Sequence, residues 1–312
     1  MTTASGAETG MGGGRLQRLQ KDEGTAILMM TPAVLGILAF IVFPFLLAVF
    51  LSFTNLRLGS PLPLEFVGLA QYRQIFTDDS FPRALLNNFL FALGVVPVQT
   101  GLALALALLL NGQMRGMVIY RTLFFMPVIF PMSLIAVVWT LIYAPGPDGM
   151  MNSLLETVSL GLWEPKDFLH NRWWALPAVM FLSVWQGVGF QMVILLAGLQ
   201  AIPETLYEAA ALDGAGRWSR FWHVTLPQLR NPLIFVILVT AILSFRVFDQ
   251  IRIMTRGGPN DASTTVVHEA VRAGFDRAQA ARGAAMTVIF FVIVLAVTLI
   301  LRHFLRHEGP SE

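Results

Sequence analysis

Long apolar runs alternate with polar connectors along this chain. The runs cover about 26–52, 84–110, 118–143, 174–200, 232–250 and 284–305. A helix needs about 20 apolar residues to cross the hydrocarbon core of a bilayer. Each run therefore predicts one membrane-spanning helix, six in all. Pro32 and Pro44 lie inside the first run, and Pro127 and Pro131 predict bends in the third. Leu102 to Leu110 alternates Leu with Ala, so its small residues admit a close neighbouring helix. The connectors 53–83, 144–173 and 251–283 read as loops on one side of the membrane. The second holds a Pro-Gly-Pro-Asp-Gly turn cluster at 145–149, then Trp163, Trp173 and Trp174. The last two suit a membrane–water boundary.

Composition agrees with this pattern. Of 312 residues, 55% are hydrophobic and 13% charged, with a mean hydropathy of +0.66. A soluble domain carries about a quarter charged residues. The expected class is therefore an all-α, polytopic membrane protein with six transmembrane helices. There is no cysteine, which excludes disulfides, thiolate metal sites and a cysteine nucleophile. The net charge is +2 with no basic run, so nucleic acid is not implied. Residues 1–25 are rich in Gly, Ser and Thr, then carry Arg15, Arg18 and Lys21. They read as a disordered cytoplasmic tail rather than a signal peptide. Residues 307–312 read as a second short tail, leaving 26–306 as the membrane domain. Six spans put both termini on one side. The 21 Lys and Arg split ten to eleven between the two sides, so charge alone does not orient the chain.

No enzymatic constellation emerges. His170, His223, His268, His303 and His307 are scattered without metal-ligand spacing. Ser183 and Ser244 lack an elbow motif, and no phosphate-cradling GxxxxGK[ST] loop occurs. Gly187-Val188-Gly189 lacks the strand and third glycine of a nucleotide fingerprint, and reads as a place for close helix packing or ligand access. Asp78-Asp79 is the best pair for acid–base work and more simply a solvated turn.

The most informative polar stretch lies between the fourth and fifth runs. Glu208-Ala209-Ala210-Ala211-Leu212-Asp213-Gly214 predicts a short helix begun by Pro203 and ended by Gly214 in the left-handed conformation. Arg217 to His223 predicts a second helix with Trp218, Phe221 and Trp222 on its aromatic side. Pro227 and Pro232 are expected to break the chain before the next span. Glu208-Ala209-Ala210, then Gly214, Val224, Leu226 and Pro227, resembles the cytoplasmic loop of permeases of binding-protein-dependent ATP-binding cassette importers. Gly198 to Pro203 and Gly257-Gly258-Pro259 resemble the carbohydrate-uptake branch. Only Val224 departs from the commoner isoleucine.

The resemblance implies a type I importer permease fold, with the 201–231 loop in the cytoplasm. It implies two ATPase subunits that bind the ATP, a second homologous permease and an extracytoplasmic solute-binding protein. The chain itself would need no cofactor or metal and would not be an enzyme. Coupling would fall to Glu208, Ala209, Ala210, Asp213, Gly214, Phe221, Trp222, Leu226 and Pro227. The solute would be a sugar or a glycerol-phosphate-like compound, passing between the spans that flank the loop. The polar and aromatic positions there are Trp185, Gln186, Gly187 and Phe190 in the fourth span and Thr240, Ser244 and Arg246 in the fifth. Polar residues within spans usually face the bundle interior. Each also has a plainer reading. Gln186 and Ser244 suit helix–helix hydrogen bonds, Trp185 and Phe190 suit core packing, and Arg246 suits a local pair with Asp249. Other classes are a secondary transporter, a membrane-embedded glycan-processing enzyme, and a scaffold. The first would need mid-span acids or inverted repeats, and neither is visible.

Overall fold

The computed structural model describes residues 28–112 and 116–306, so the expected tails 1–25 and 307–312 lie outside it. Helix α1 is Leu28–Leu51. The order continues with α2 (Ala70–Thr77), α3 (Ser80–Leu109), α4 (Met117–Ile129), α5 (Met132–Ile142), α6 (Met150–Val158) and α7 (Ala175–Gln200). Then come α8 (Glu204–Leu212), α9 (Arg217–Gln228), α10 (Arg230–Phe245), α11 (Val266–Val271) and α12 (Ala280–Arg306). Among the described residues there is no strand, only one isolated bridge between Thr54 and Phe66. Four helices, α1, α3, α7 and α12, are long and apolar enough to cross a membrane. The bent pairs α4–α5 and α9–α10 raise the number to six if each is one span.

Several boundaries differ from the sequence reading. The third run is broken, with α4 and α5 meeting at 99°. Phe130 is extended there (ψ 141°) because a residue before proline is driven out of the helical region, and Pro131 then starts α5. Pro127, by contrast, stays inside α4. Pro227 does not break its helix either. A π turn at Phe221–Thr225 widens the helix just before it, and a similar turn at Leu38–Val42 precedes Pro44. Widening moves the carbonyl that the proline ring would strike. The chain bends instead by 67° at Leu229. The fifth span is correspondingly shorter than expected, ending at Phe245, and α3 starts earlier, at Ser80.

Helices α3 and α7 form the spine and run parallel. Gly94 faces Met180, Gln99 lies over Gly187, and Leu110 packs with Leu199. Ala103 and Ala107, four apart, are fully buried against Met192, Leu195 and Leu199, as the Leu/Ala alternation predicts. Gly189 is similarly required: a side chain there would strike the backbone of Phe124 and Phe125 on α4. The connectors then gather at two poles. At the lower pole, Arg121 donates to the carbonyls of Leu110 (2.6 Å) and Gly112 (3.3 Å), close to Gln200, Ile202 and Glu204. At the upper pole, Leu58 N–H donates to Ala278 O (2.8 Å) and Ala281 N–H to Leu56 O (3.1 Å).

The 251–283 connector is not an open loop. It folds back as a hairpin whose Ser263, Thr264, Thr265, His268 and Glu269 are buried. Asn87 of α3 donates to the carbonyls of Asp261 and Thr264 (both 2.9 Å), and Asn88 accepts from Val266 N–H (2.8 Å). Arg252 pairs with Asp276, Arg272 with Asp261 and Glu269, Arg277 with Glu269, and Arg282 with Asp78. Asp78 is thereby committed to structure. Its burial raises the carboxyl pKa, but the Arg282 hydrogen bond and charge outweigh this and hold it below the ordinary value.

His268 gives this hairpin a pH dependence. Burial, and then the charges of Arg272 and Arg252, push its pKa down to about 4, with Asp276 and Asp261 opposing. Between an unfolded value near 6.5 and about 4, the unfolded chain binds a proton that the folded hairpin does not. Stability therefore falls as pH drops through that window. Thermal unfolding at pH 7.5, 6 and 5 should show this loss, and His268→Asn should flatten it. An unchanged slope in that variant would assign the acid sensitivity elsewhere.

Candidate functional site

Two features stand out, a polar cavity between the helices and an exposed helix pair at the lower pole. The cavity is about 380 Å³ and opens among α3, α5, α7, α10 and residues 246–250. Of the residues expected to line a path, it gathers Gln186, Gly187, Thr240, Ser244 and Arg246. Gln191 donates to the Thr240 hydroxyl, which in turn donates to Val236 O (2.6 Å), and this pair closes the lower end. At the upper end, Gln250 donates to the Ser183 hydroxyl (3.1 Å). Arg246 and Asp249 stand exposed at the rim.

Two expected residues lie elsewhere. Trp185 is 42% exposed and packs on Trp139 (5.5 Å between rings) rather than on the cavity. Phe190 shares a helix face with Gln186, but the cavity ends before its turn, leaving it 41% exposed. The expected Arg246–Asp249 pair is also absent among the described residues. Helix α10 stops at Phe245, so the three-residue spacing no longer brings the two side chains together. Conversely, Gln99, Ser183 and Gln250 line the cavity although the sequence assigns none of them to the path. Gln99 carried a readable signal, an amide in the middle of an apolar span. Its amide lies directly over Gly187, so a side chain at that position would have to displace it.

Helix α8 is built as the sequence indicates, whereas α9 runs on to Gln228, past the expected end at His223. Pro203 is the extended N-cap residue of α8 rather than part of its first turn, and Glu204 follows at the positive end of the dipole. At the other end, Ala215 N–H donates to Ala210 O (2.9 Å) and Gly214 N–H to Ala211 O (3.1 Å). This is a Schellman closure, and it requires the left-handed φ of +74° that Gly214 adopts. Arg220 then donates to Ala215 O (2.8 Å), and Tyr207 hydrogen-bonds Thr225 (3.0 Å), fixing α9 against α8. Glu208, Ala209, Asp213 and Pro227 are exposed, while Ala210 and Leu226 are half-buried. Phe221 is half-buried between Trp218 (6.4 Å) and Trp222 (5.3 Å). The outward apolar surface is therefore Leu212, Trp218 and Trp222. Leu212 and Trp218 were not among the residues expected to couple.

An all-α multi-pass membrane protein, with a polar internal cavity and a rigid helix pair exposed at one pole, has the architecture of a solute permease. A profile of the family described as binding-protein-dependent transport system inner membrane component matches residues 23–308, and the chain belongs to that family. It is 35% identical over 305 residues to a probable ABC transporter permease protein, YesP, of Bacillus subtilis, covering 94% of this chain and 96% of that one. It is 31% identical over 290 residues to the sulfoquinovosyl glycerol transport system permease protein SmoG of Agrobacterium fabrum, covering 91% of each. A solved bacterial alginate ABC transporter, in complex with an alginate pentasaccharide-bound periplasmic protein, contains a chain of the same fold. The TM-score is 0.82 at 20% identity, covering 95% of this chain and 99% of that one.

Proposed function

We propose that this chain is the permease subunit of an ABC importer that carries a sugar or a glycerol-phosphate-like solute. The observation that carries the reading is the Glu208–Gly214 helix, closed by a left-handed glycine and presented with its neighbour outside the bundle. Two ATPase subunits would dock there and bind the ATP. A second homologous permease would complete the pathway, and an extracytoplasmic binding protein would deliver the solute to the upper pole. The lower pole and both termini would then be cytoplasmic, in a bacterial or archaeal cell membrane. Closure of the ATPase dimer would move α8 and α9 as one body and tilt the spans around the cavity.

The cavity supports the solute class. Gln99, Gln186, Thr240, Ser244 and Gln250 offer amides and hydroxyls suited to sugar hydroxyls, and Arg246 at the rim suits an anionic group. The name of the sulfoquinovosyl glycerol relative fits a glycosidic solute. Neither a secondary transporter nor a carboxylate enzyme is favoured. The described spans contain no acid, and Asp78 is held by Arg282.

Uptake tests this directly. Gln186→Leu with Ser244→Val should lower uptake about tenfold or more, since each leaves a solute hydroxyl unpaired at roughly 1 kcal/mol or above. ATPase association should stay intact. Normal uptake in the double variant would remove the cavity from the pathway.

A further inference from the structure

We propose that α6 is an interfacial anchor, lying in the lipid headgroup layer at the upper pole. The helix has three distinct stripes. Met151 and Leu155 pack on the apolar cluster beneath, and Asn152 is fully buried. Asn152 binds the carbonyls of Gly146 (3.0 Å) and Lys166 (2.9 Å) and accepts from Trp163 Nε1 (3.1 Å). This fixes the rotation of the helix about its axis. Ser153, Glu156 and Thr157 form an exposed polar stripe. Between them lies a third stripe, Met150, Leu154 and Val158, spaced four apart. It is apolar and open, at 65%, 56% and 73% exposure.

A helix that meets protein on one side, water on another and nothing on an apolar third matches the junction of protein, bilayer and water. Its neighbours place it at that junction. Trp163 meets Trp174 edge to face (6.1 Å), and Trp173–Trp174 immediately precede the membrane-crossing α7. Trp173 is exposed under the guanidinium of Arg172 (5.9 Å), an arrangement suited to an anionic headgroup belt. Leu160, just beyond α6, has φ +55°, a conformation leucine rarely takes, and it points an almost fully exposed side chain outward. Lipid contact gives that side chain an apolar environment. The occupant is therefore the bilayer surface, not a protein.

The chain has no cysteine, so single labels need no background removal. Leu154→Cys, Val158→Cys and Glu156→Cys would each carry a nitroxide in the full chain. Each would be reconstituted, with any co-purifying subunits, in nanodiscs of phosphatidylethanolamine and phosphatidylglycerol. The oxygen-to-nickel-chelate accessibility ratio is expected to be severalfold higher at 154 and 158 than at 156. A fluorophore at 158 should be quenched by lipids brominated on their upper acyl carbons. Equal nickel access at all three sites would overturn the proposal by making the helix water-facing. Shielding of 154 and 158 from both reagents, without bromine quenching, would overturn it by showing a protein cover. Unchanged thermal unfolding of each labelled variant keeps either outcome interpretable.

Discussion

Glu208→Lys is expected to leave the chain inserted in the membrane while abolishing solute uptake. The carboxylate is exposed on α8, and among the described residues no hydrogen bond or ion pair engages it. Its loss should therefore cost the isolated chain almost nothing. Docked as proposed, the same group would meet a cation of the ATPase at a partly desolvated interface. Truncating such a pair costs about 2–5 kcal/mol, and a like charge adds repulsion. Two kcal/mol alone weakens association about thirtyfold. Gly214→Pro acts through the backbone. Proline fixes φ near −65°, opposite to the +74° found there, and removes the N–H that donates to Ala211. The turn would open and α9, with Trp218 and Trp222, would be aimed elsewhere. Trp218→Ala should weaken docking without changing the turn. Membrane level, ATPase co-purification and uptake should be measured on the same membranes. Full association and full uptake in all three variants would show that this loop is not the coupling element.

What could be read from the sequence was set by how local the cause is. The Schellman turn at Gly214 and the end of α4 before Pro131 each depend on residues within about one turn. The turn at Gly214 appears as the sequence indicates, and the bend expected at Pro131 appears as a full break, while Pro127 stays inside α4. The 251–283 hairpin depends on distant partners. Asp78 and Arg282 are 204 residues apart, and Asn87 reaches Asp261 across 174. Charged residues in a polar connector read as solvated because nothing nearby reveals such a partner. The cavity shows the same division. Gln186, Thr240 and Ser244 are legible because they lie on the spans that flank the loop, whereas the place of Gln99 depends on α3 running parallel to α7. The hairpin also bears on the undecided charge balance. At the upper pole Arg252 and Arg282 are held in separate pairs with Asp276 and Asp78, and Arg272 and Arg277 share Glu269 in one cluster. They are structural cations rather than free topological ones.

That cluster yields the largest stability effect expected in the chain, at Glu269. Its side chain is fully buried and touches two guanidinium groups, Arg272 at 2.5 Å and Arg277 at 3.0 Å. Glu269→Gln keeps the size but removes the negative charge that the two guanidinium groups share. Breaking a buried ion pair from one side costs about 3–5 kcal/mol, because the partner charge stays desolvated. Arg272 retains Asp261, and Arg277 is 40% exposed, so the lower end of that range applies. About 3 kcal/mol corresponds to a melting shift of roughly 5–10 °C for a chain of this size. Arg277→Gln should cost far less, about 1 kcal/mol or below, since its own charge is half in water. The asymmetry is the test. Thermal unfolding in one detergent at pH 7.5 should rank Glu269→Gln well below Arg277→Gln, and a double variant should recover part of the Glu269 loss by removing one stranded cation. Equal shifts in the two single variants would mean that Glu269 is not the buried centre of the hairpin. The apposition of α11 with the start of α12, where Gly283 meets the backbone of Ala270 and Gly274, would then have to hold the hairpin through packing alone.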